Sequence, residues 1–302
     1  KETTQSLRYQ FNKEFNKIFK EISQKQIDYR DPDIFFLYDQ AKGSFSLRAK
    51  PLYIYGRYRK LKRGLPQTHW DCKACQGKGC PKCNYTGKKY QESVEELIAN
   101  PVLKFTKGEK AFLHGSGRED VDVRMLGNGR PFVLEVANPK IRNINLQGLE
   151  KEINQKNKNK IEVLKLEFTE KSKIAFLKSA AFPKVYLVKV LAPKEIDCLK
   201  LKSVLKNLEA KIIFQKTPKR VVHRRPNLVR KRRIFKAELK SCSQKEALIE
   251  IEAESGLYIK ELVNGDQGRT EPSLSKLTGI PLEVKELDVI EIKNGQNREF
   301  QT

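Results

Sequence analysis

Four cysteines fall in one short window, DCKACQGKGCPKC, at positions 72, 75, 80 and 83. Two Cys-x-x-Cys pairs separated by a Gly-Lys-Gly turn let Cys72, Cys75, Cys80 and Cys83 converge on one tetrahedral ion, for which Zn²⁺ at about 2.3 Å from each sulfur is the expected occupant. A loop closed in this way stands between elements and separates a short N-terminal stretch from a long C-terminal one. Four thiolates fill the coordination sphere, so the expected metal is structural rather than catalytic. No organic cofactor is expected. The other two cysteines, Cys198 and Cys242, stand alone among apolar neighbours and read as buried hydrophobes.

N-terminal to the cysteine loop, Leu7, Phe11, Phe15, Ile18, Phe19 and Ile22 recur at helical spacing, and the strand-like runs DIFFLYD and KPLYIYGRY follow. The spacing predicts a small αββ module over residues 1–66, then the cysteine loop over 67–90, then a large domain over 91–302. Ser93 and Glu96 form a capping box that starts the helix SVEELIAN. Beyond it, strand runs (PFVLEVANP, KIEVLKLEF, PKVYLVKVL, AKIIFQK, RRIFKAELK, ALIEIEAE, LEVKELDVIEI) alternate irregularly with helical patterns near 146–156, 170–180, 195–208 and 273–278. Few of these have the spacing of parallel crossovers, so the class is α+β, a mixed or antiparallel sheet flanked by helices. The polar run NQKNKNK, 154–160, reads as a mobile turn.

Charge narrows the partners. Lys and Arg total 61 against 37 acids, a net +24, which favours a polyanion and makes nucleic acid the leading one. No apolar run reaches the ~18 residues of a membrane span, and KETTQSLRYQ carries no apolar signal core. A cytoplasmic protein with no membrane contact and no obligatory protein partner is expected. The run KTPKRVVHRRPNLVRKRR, 216–233, is broken by Pro218 and Pro226 and reads as a hairpin-like arm. Its Arg220, Arg224, Arg225, Arg232 and Arg233 are the expected contacts to RNA phosphates.

Between the capped helix and PFVLEVANP lies HGSGREDVDVRMLGNGRP, where Asp120 and Asp122 stand among Arg118, Arg124 and Arg130 and several glycines. By composition alone this is equally a solvated salt-bridge loop. Its Gly-Arg-Glu-Asp, however, resembles the Gly-Arg-x-Asp signature of TruA-like pseudouridine synthases. PLYIYGRYRKL, the cysteine stretch, PFVLEVANPKIRN, TPKRVVHRRPNLVRKRRI and YIKELVNGDQGRTEPSL are similar, in order, to the archaeal tRNA pseudouridine synthase family called Pus ten.

That resemblance implies a pseudouridine synthase catalytic domain behind a zinc-bearing, reduced THUMP-like module. It implies isomerisation of uridine to pseudouridine in the TΨC arm of tRNA, at positions 54 and 55. Asp120 would be the catalytic carboxylate, attacking the sugar covalently or removing a sugar proton; the residues leave both open. Lys260 in GLYIKEL resembles the TYIR motif of TruB-like synthases and would be the cation paired with that carboxylate. Tyr186 in KVYLVKV would stack on the flipped uracil, with Tyr258, Ile259 and Leu287 as pocket walls. Arg118 would fill the vacated base stack or grip the adjacent phosphate.

Overall fold

Alternating β-branched and aromatic residues become strands, and apolar residues at three-to-four spacing become helices, across residues 6–293, which the computed structural model describes. The first helix, α1 (Leu7–Ser23), starts at Ser6, whose side chain accepts from the Tyr9 N–H. It lies on a hairpin of β1 (Ile34–Asp39) and β2 (Ser44–Ala49), with ring centroids 5.3 Å apart for Phe11 and Tyr38 and 4.5 Å for Phe15 and Phe36. No residue of α1 is buried.

The rest is one ten-stranded sheet. Its strands are β3 (Leu52–Lys60), β4 (Lys110–Gly115), β5 (Arg124–Ala137), β6 (Ile161–Thr169), β7 (Lys184–Leu191) and β8 (Ile212–Lys216). They continue with β9 (Val229–Cys242), β10 (Glu246–Ala253), β11 (Thr270–Glu271) and β12 (Glu283–Ile292). The order is β11-β8-β9-β10-β7-β12-β5-β3-β6, with β4 also on β5. Around it pack α2 (Val94–Thr106), α3 (Leu146–Lys156), α4 (Ser172–Ser179), α5 (Cys198–Leu208), α6 (Ile259–Asn264) and α7 (Leu274–Thr278). The expected mixed α+β class is what the chain adopts.

Among the described residues every strand pairing is antiparallel except one: β12 runs parallel to β5, Asp288 opposite Arg124. This seam joins a half built on β3–β6 to a half built on β7–β12. Gly127 sits there at φ +54°, where an added Cβ would stand 1.6 Å from the Ile290 carbonyl oxygen, so only glycine allows the approach. Asn128 completes the seam, donating from Nδ2 to the Ile292 carbonyl at 2.8 Å and accepting the Ile292 N–H at 3.0 Å.

Several expectations are corrected. The run KPLYIYGRY does not belong to the N-terminal unit: as β3 it pairs with β5 and β6 inside the large sheet, and its residues are nearly all buried. The hairpin partner of β1 is instead SFSLRA, a run with too many serines to read as a strand. Cys198 and Cys242 are not isolated hydrophobes but a disulfide, Cα–Cα 6.0 Å, tying α5 to the end of β9 across 44 residues of sequence. Nor is 154–160 a free turn. Its first residues end α3, and Asn154 clasps β6 by accepting the Val163 N–H (2.7 Å) and donating to the Val163 carbonyl (2.9 Å).

One buried cation offers a pH test. Lys184 on β7 is 8% exposed and donates to Ser255 Oγ at 2.9 Å and the Phe182 carbonyl at 3.3 Å. Burial, reinforced by repulsion from Arg130, pulls its ammonium down to about 8. An unfolded lysine holds its proton to about 10.4, so between these values the unfolded chain binds more protons and the native state gains as pH rises. Lys184→Met is therefore expected to stabilise the fold by about 2 kcal/mol at neutral pH, net of the lost hydrogen bonds. In urea titrations the gain should shrink from pH 7 to pH 10; a gain that stayed level would mean the buried charge is not its source.

Candidate active site

The loop that leaves β4 and enters β5 carries GREDVD, and its backbone is held from beneath. Gly117, at φ +75°, turns the chain. Arg130 Nη1 donates to the Ser116 carbonyl (2.7 Å) and Gln67 Nε2 to that of Gly117 (3.0 Å). Lys60 Nζ donates to the carbonyls of Leu65 (2.8 Å), Asp120 (3.0 Å) and Val121 (3.2 Å). All three donors come from buried side chains, and Lys60 is wholly inaccessible.

Glu119 turns inward to balance this buried charge. Its carboxylate accepts from Arg130 Nε at 2.8 Å and from the Tyr58 hydroxyl at 3.1 Å, with Lys60 Nζ at 3.8 Å. Gln67 Nε2 donates in turn to the Tyr58 hydroxyl at 2.8 Å. Burial lowers the Lys60 ammonium against the attraction of Glu119, and it raises the Tyr58 phenol, an effect that Glu119 reinforces.

Asp120, the next residue, faces outward into cations from the other half of the sheet. Arg220 Nη1 stands 2.8 Å from Asp120 Oδ2, and Lys260 Nζ is 3.7 Å from the same oxygen. Lys260 is closer to Asp122, at 2.6 Å. Burial acts to raise the Asp122 carboxyl, but the hydrogen bond and charge of Lys260 outweigh it and hold that group below its ordinary value. Arg220 also donates from Nε to the buried Glu261 at 2.7 Å, and Glu261 with Asp120 outweighs burial to keep the guanidinium charged.

The structure brings Asp120, Lys260, Tyr258 and Arg220 together. Tyr258 leads into α6, its backbone locked by Gln215 through two 2.9 Å bonds, and the guanidinium groups of Arg220 and Arg230 lie 5.9 Å and 5.8 Å from its ring centroid. Ile259, the first residue of α6, is buried beside it. Tyr186 sits on the core face of β7, 8% exposed, where burial pushes its phenol up to about 12 against the opposing charge of Arg130. Leu287 is buried on β12 opposite Val188, and its carbonyl accepts from Arg63 Nη1 at 2.8 Å. Arg118 is exposed, with its guanidinium 5.7 Å from the Trp70 ring centroid at the foot of the cysteine loop.

Residues 217–228 link β8 to β9 as a hairpin arm containing one 3₁₀ turn, Lys219–Arg224. Arg220 leaves the arm to meet Asp120, whereas Arg225 and Arg233 are exposed to solvent. Arg232 donates from Nη1 to the Lys231 carbonyl at 2.7 Å, and its guanidinium lies against the Gly256 turn. The Arg224 side chain lies outside the described residues.

Cys72, Cys75, Cys80 and Cys83 offer ligand atoms that all lie within 4.8 Å of one another. Sulfur separations are 4.0 Å for Cys72–Cys80, 3.8 Å for Cys75–Cys83 and 3.7 Å for Cys80–Cys83. Thiolates bound to one tetrahedral ion at about 2.3 Å stand about 3.8 Å apart, so the set fits a metal. Backbone N–H groups of Gly79 and Cys80 point at Cys75 and Cys83 sulfurs, each at 3.2 Å, as suits thiolates. Among the described residues no helix is long and apolar enough to cross a membrane.

Sequence reasoning missed the loop's supports. Tyr58 and Lys60 lie within the family-like PLYIYGRYRKL, but nothing in that run or at Gln67 marks them as supports of this loop, and a lysine at a strand end ordinarily reads as solvated. The placement of Arg220 against Asp120 and Glu261 was hidden because all the arm's arginines look alike in the sequence. Glu261 follows Lys260 directly, and only α6 turns one outward and the other inward.

Comparison with known proteins agrees with this layout. The family model described as "Pus10, C-terminal" matches residues 53–293. A tRNA pseudouridine synthase Pus10 of Methanothrix thermoacetophila is 44% identical over 95% of this chain and 63% of its own length. That of Methanocaldococcus jannaschii is 49% identical over 89% and 59%, and that of Archaeoglobus fulgidus 45% over 95% and 80%. The chain thus spans about three fifths of the first two relatives. Among solved structures, that of a Cbf5-Nop10-Gar1 complex aligns with 78% of this chain and 47% of that one, at 16% identity and a TM-score of 0.41. With Asp120 carried on a braced loop, and with a family match running from β3 through β12, the chain belongs to the Pus10 family.

Proposed function

We propose that this chain isomerises uridine to pseudouridine in tRNA, in the TΨC arm at positions 54 and 55, with Asp120 as the catalytic carboxylate. The observation that carries the reading is the pairing of Asp120 with Arg220 and Lys260 on a loop whose carbonyls are clamped by Lys60, Gln67 and Arg130. The reaction breaks the bond from uracil nitrogen to the sugar and remakes it at carbon 5, with no redox change, so it needs one ionised carboxylate in a fixed place. Two cations, Arg220 and Lys260, stand beside that carboxylate and fix its position. The names of the relatives, tRNA pseudouridine synthase, support the same substrate.

In this reading Tyr258, Ile259 and Leu287 border the base, and Tyr186 backs the pocket from the core face of β7. The arginines of the arm lie along tRNA phosphates, and Arg118 takes the place of the displaced base or holds the next phosphate. The protein works in the cytoplasm, where its tRNA is. Incubating it with an unmodified tRNA transcript and no cofactor, then mapping pseudouridine by carbodiimide-stop sequencing, tests the proposal. A transcript left unmodified by folded protein would overturn it.

The cysteine cluster would hold Zn²⁺, which when bound cross-links the loop and performs no step of the reaction. Through Gln67 and Trp70 that loop touches Gly117 and Arg118. Chelation, or Cys72→Ser with Cys83→Ser, is expected to lower the melting temperature and weaken tRNA binding, with the single-turnover rate at saturating tRNA largely kept. A collapse of that rate with binding and fold intact would mean the metal acts in the chemistry.

A further inference from the structure

The β8–β9 hairpin has two faces, and the site uses only one. Strand alternation puts Ile213 and Gln215 on the inner face, where Gln215 holds Tyr258, and sends Ile212, Phe214 and Lys216 to the outer face. Antiparallel register sets Arg233 opposite Ile212, Lys231 opposite Phe214 and Val229 opposite Lys216, so these residues share the outer face. There Phe214 is 46% exposed and Ile212 43%, and Lys231 Nζ lies 5.4 Å from the Phe214 ring centroid.

Charge distinguishes this patch from the rest of the hairpin. Farther along β9, Lys236 and Lys240 are neutralised by Glu238 and Glu250. Among the described residues, the side chains of Lys216, Lys231 and Arg233 make no ion pair, although the Arg233 backbone N–H donates to Glu254 Oε2 at 2.9 Å. A further acid beside the patch, Glu271 opposite Phe214 on β11, is bonded to Lys276 at 2.6 Å. An exposed aromatic ring ringed by unneutralised cations, on a chain of net charge +24, is complementary to an anion with a flat apolar face.

We infer that the outer face of the β8–β9 hairpin is a stacking platform for an unpaired nucleotide of the bound RNA, with the base on Phe214 and its phosphates on Lys216, Lys231 and Arg233. It deepens the reading of this chain as a tRNA-modifying enzyme by giving the RNA a hold on the side of the sheet away from Asp120. Stacking on one aromatic side chain tolerates any base, so the platform grips RNA without choosing the target uridine.

Filter binding of this chain to a single-stranded oligo(U) and to a duplex RNA of equal length tests the inference. Phe214→Ala should weaken single-strand binding roughly tenfold and leave duplex binding unchanged, because a paired base offers no free face. Phe214→Trp should restore it. Lys231→Ala with Arg233→Ala should flatten the salt dependence of affinity, whereas Phe214→Ala should not, since it removes no phosphate contact. Equal losses on both RNAs, or no loss on either, would overturn the platform. Pseudouridine mapping on the same protein separates the two proposals: product with Phe214→Ala binding as the parent does removes the platform alone, and single-strand loss without product removes the enzyme reading alone.

Discussion

Asp120→Asn is expected to yield a folded chain that binds tRNA nearly as the parent does and makes no detectable pseudouridine. The exchange is almost isosteric and the group is partly exposed, so neither packing nor the clamped backbone should change. What it removes is the carboxylate that Arg220 and Lys260 both approach, at 2.8 Å and 3.7 Å. Losing a group that acts on the substrate in the transition state lowers turnover without a matching loss of affinity. Asp122→Asn should keep substantial activity, because Asp122 occupies Lys260 but is not the carboxylate Arg220 holds. Lys260→Met should fall between them, since Arg220 remains to hold Asp120 in place at 2.8 Å. Carbodiimide-stop mapping with parallel filter binding reads all three. Parental turnover in Asp120→Asn, or its abolition by Asp122→Asn with the fold intact, would move the catalytic role elsewhere.

Glu119→Ala should be the most damaging single change to stability. It strands Arg130 and Lys60, exposed 1% and 0%, with no anion between them, and leaves the Tyr58 hydroxyl without its acceptor. Removing one partner of a buried ion pair costs about 3–5 kcal/mol, a large share of what holds a domain folded. Glu119→Gln should cost less, because an amide can still accept from Tyr58. Adding Arg130→Met to Glu119→Ala should recover part of the loss, since an apolar side chain in that space needs no counter-charge. Urea unfolding of the three variants measures this. A Glu119→Ala loss under about 1 kcal/mol would mean that the carbonyl clamps, and not the buried ion pair, hold the loop.

Much of the architecture was legible because its signals are local. Ser93 marked the start of α2 as its N-cap: its Oγ accepts the Glu96 N–H at 3.2 Å and donates to Glu96 Oε2 at 2.8 Å, a variation on the expected capping box. Runs such as KVYLVKVL and ALIEIEAE read as strands because alternation is a property of neighbours. The short strand KAFLHG and the six-residue α6 were missed, being too brief for any period to emerge. The disulfide and the placement of β3 were hidden for a different reason: both depend on which distant strand a segment pairs with. At the site, family motifs located Asp120, Lys260 and Tyr258. The residues that hold them, Lys60, Glu119, Arg130, Gln215 and Glu261, act through tertiary contacts between segments far apart in the chain.

The parallel seam between β5 and β12 divides the molecule so that the carboxylate of the candidate site, Asp120, belongs to one half and the cations paired with it to the other. Asp120 and its clamps come from β3–β5 and the loops beside them, while Arg220, Tyr258, Lys260 and Glu261 come from β8 onward. Either half formed alone would hold an incomplete charge set: a lone acid that repels phosphate, or a cationic surface with no carboxylate to act on a sugar. Bringing Asp120 against Arg220 and Lys260 therefore requires the two halves to be docked. The close approach at Gly127, the Asn128 bonds to Ile292 and the paired Arg124–Asp288 bonds join the halves there, so a change at this junction would reach the candidate site from a distance without touching any of its side chains.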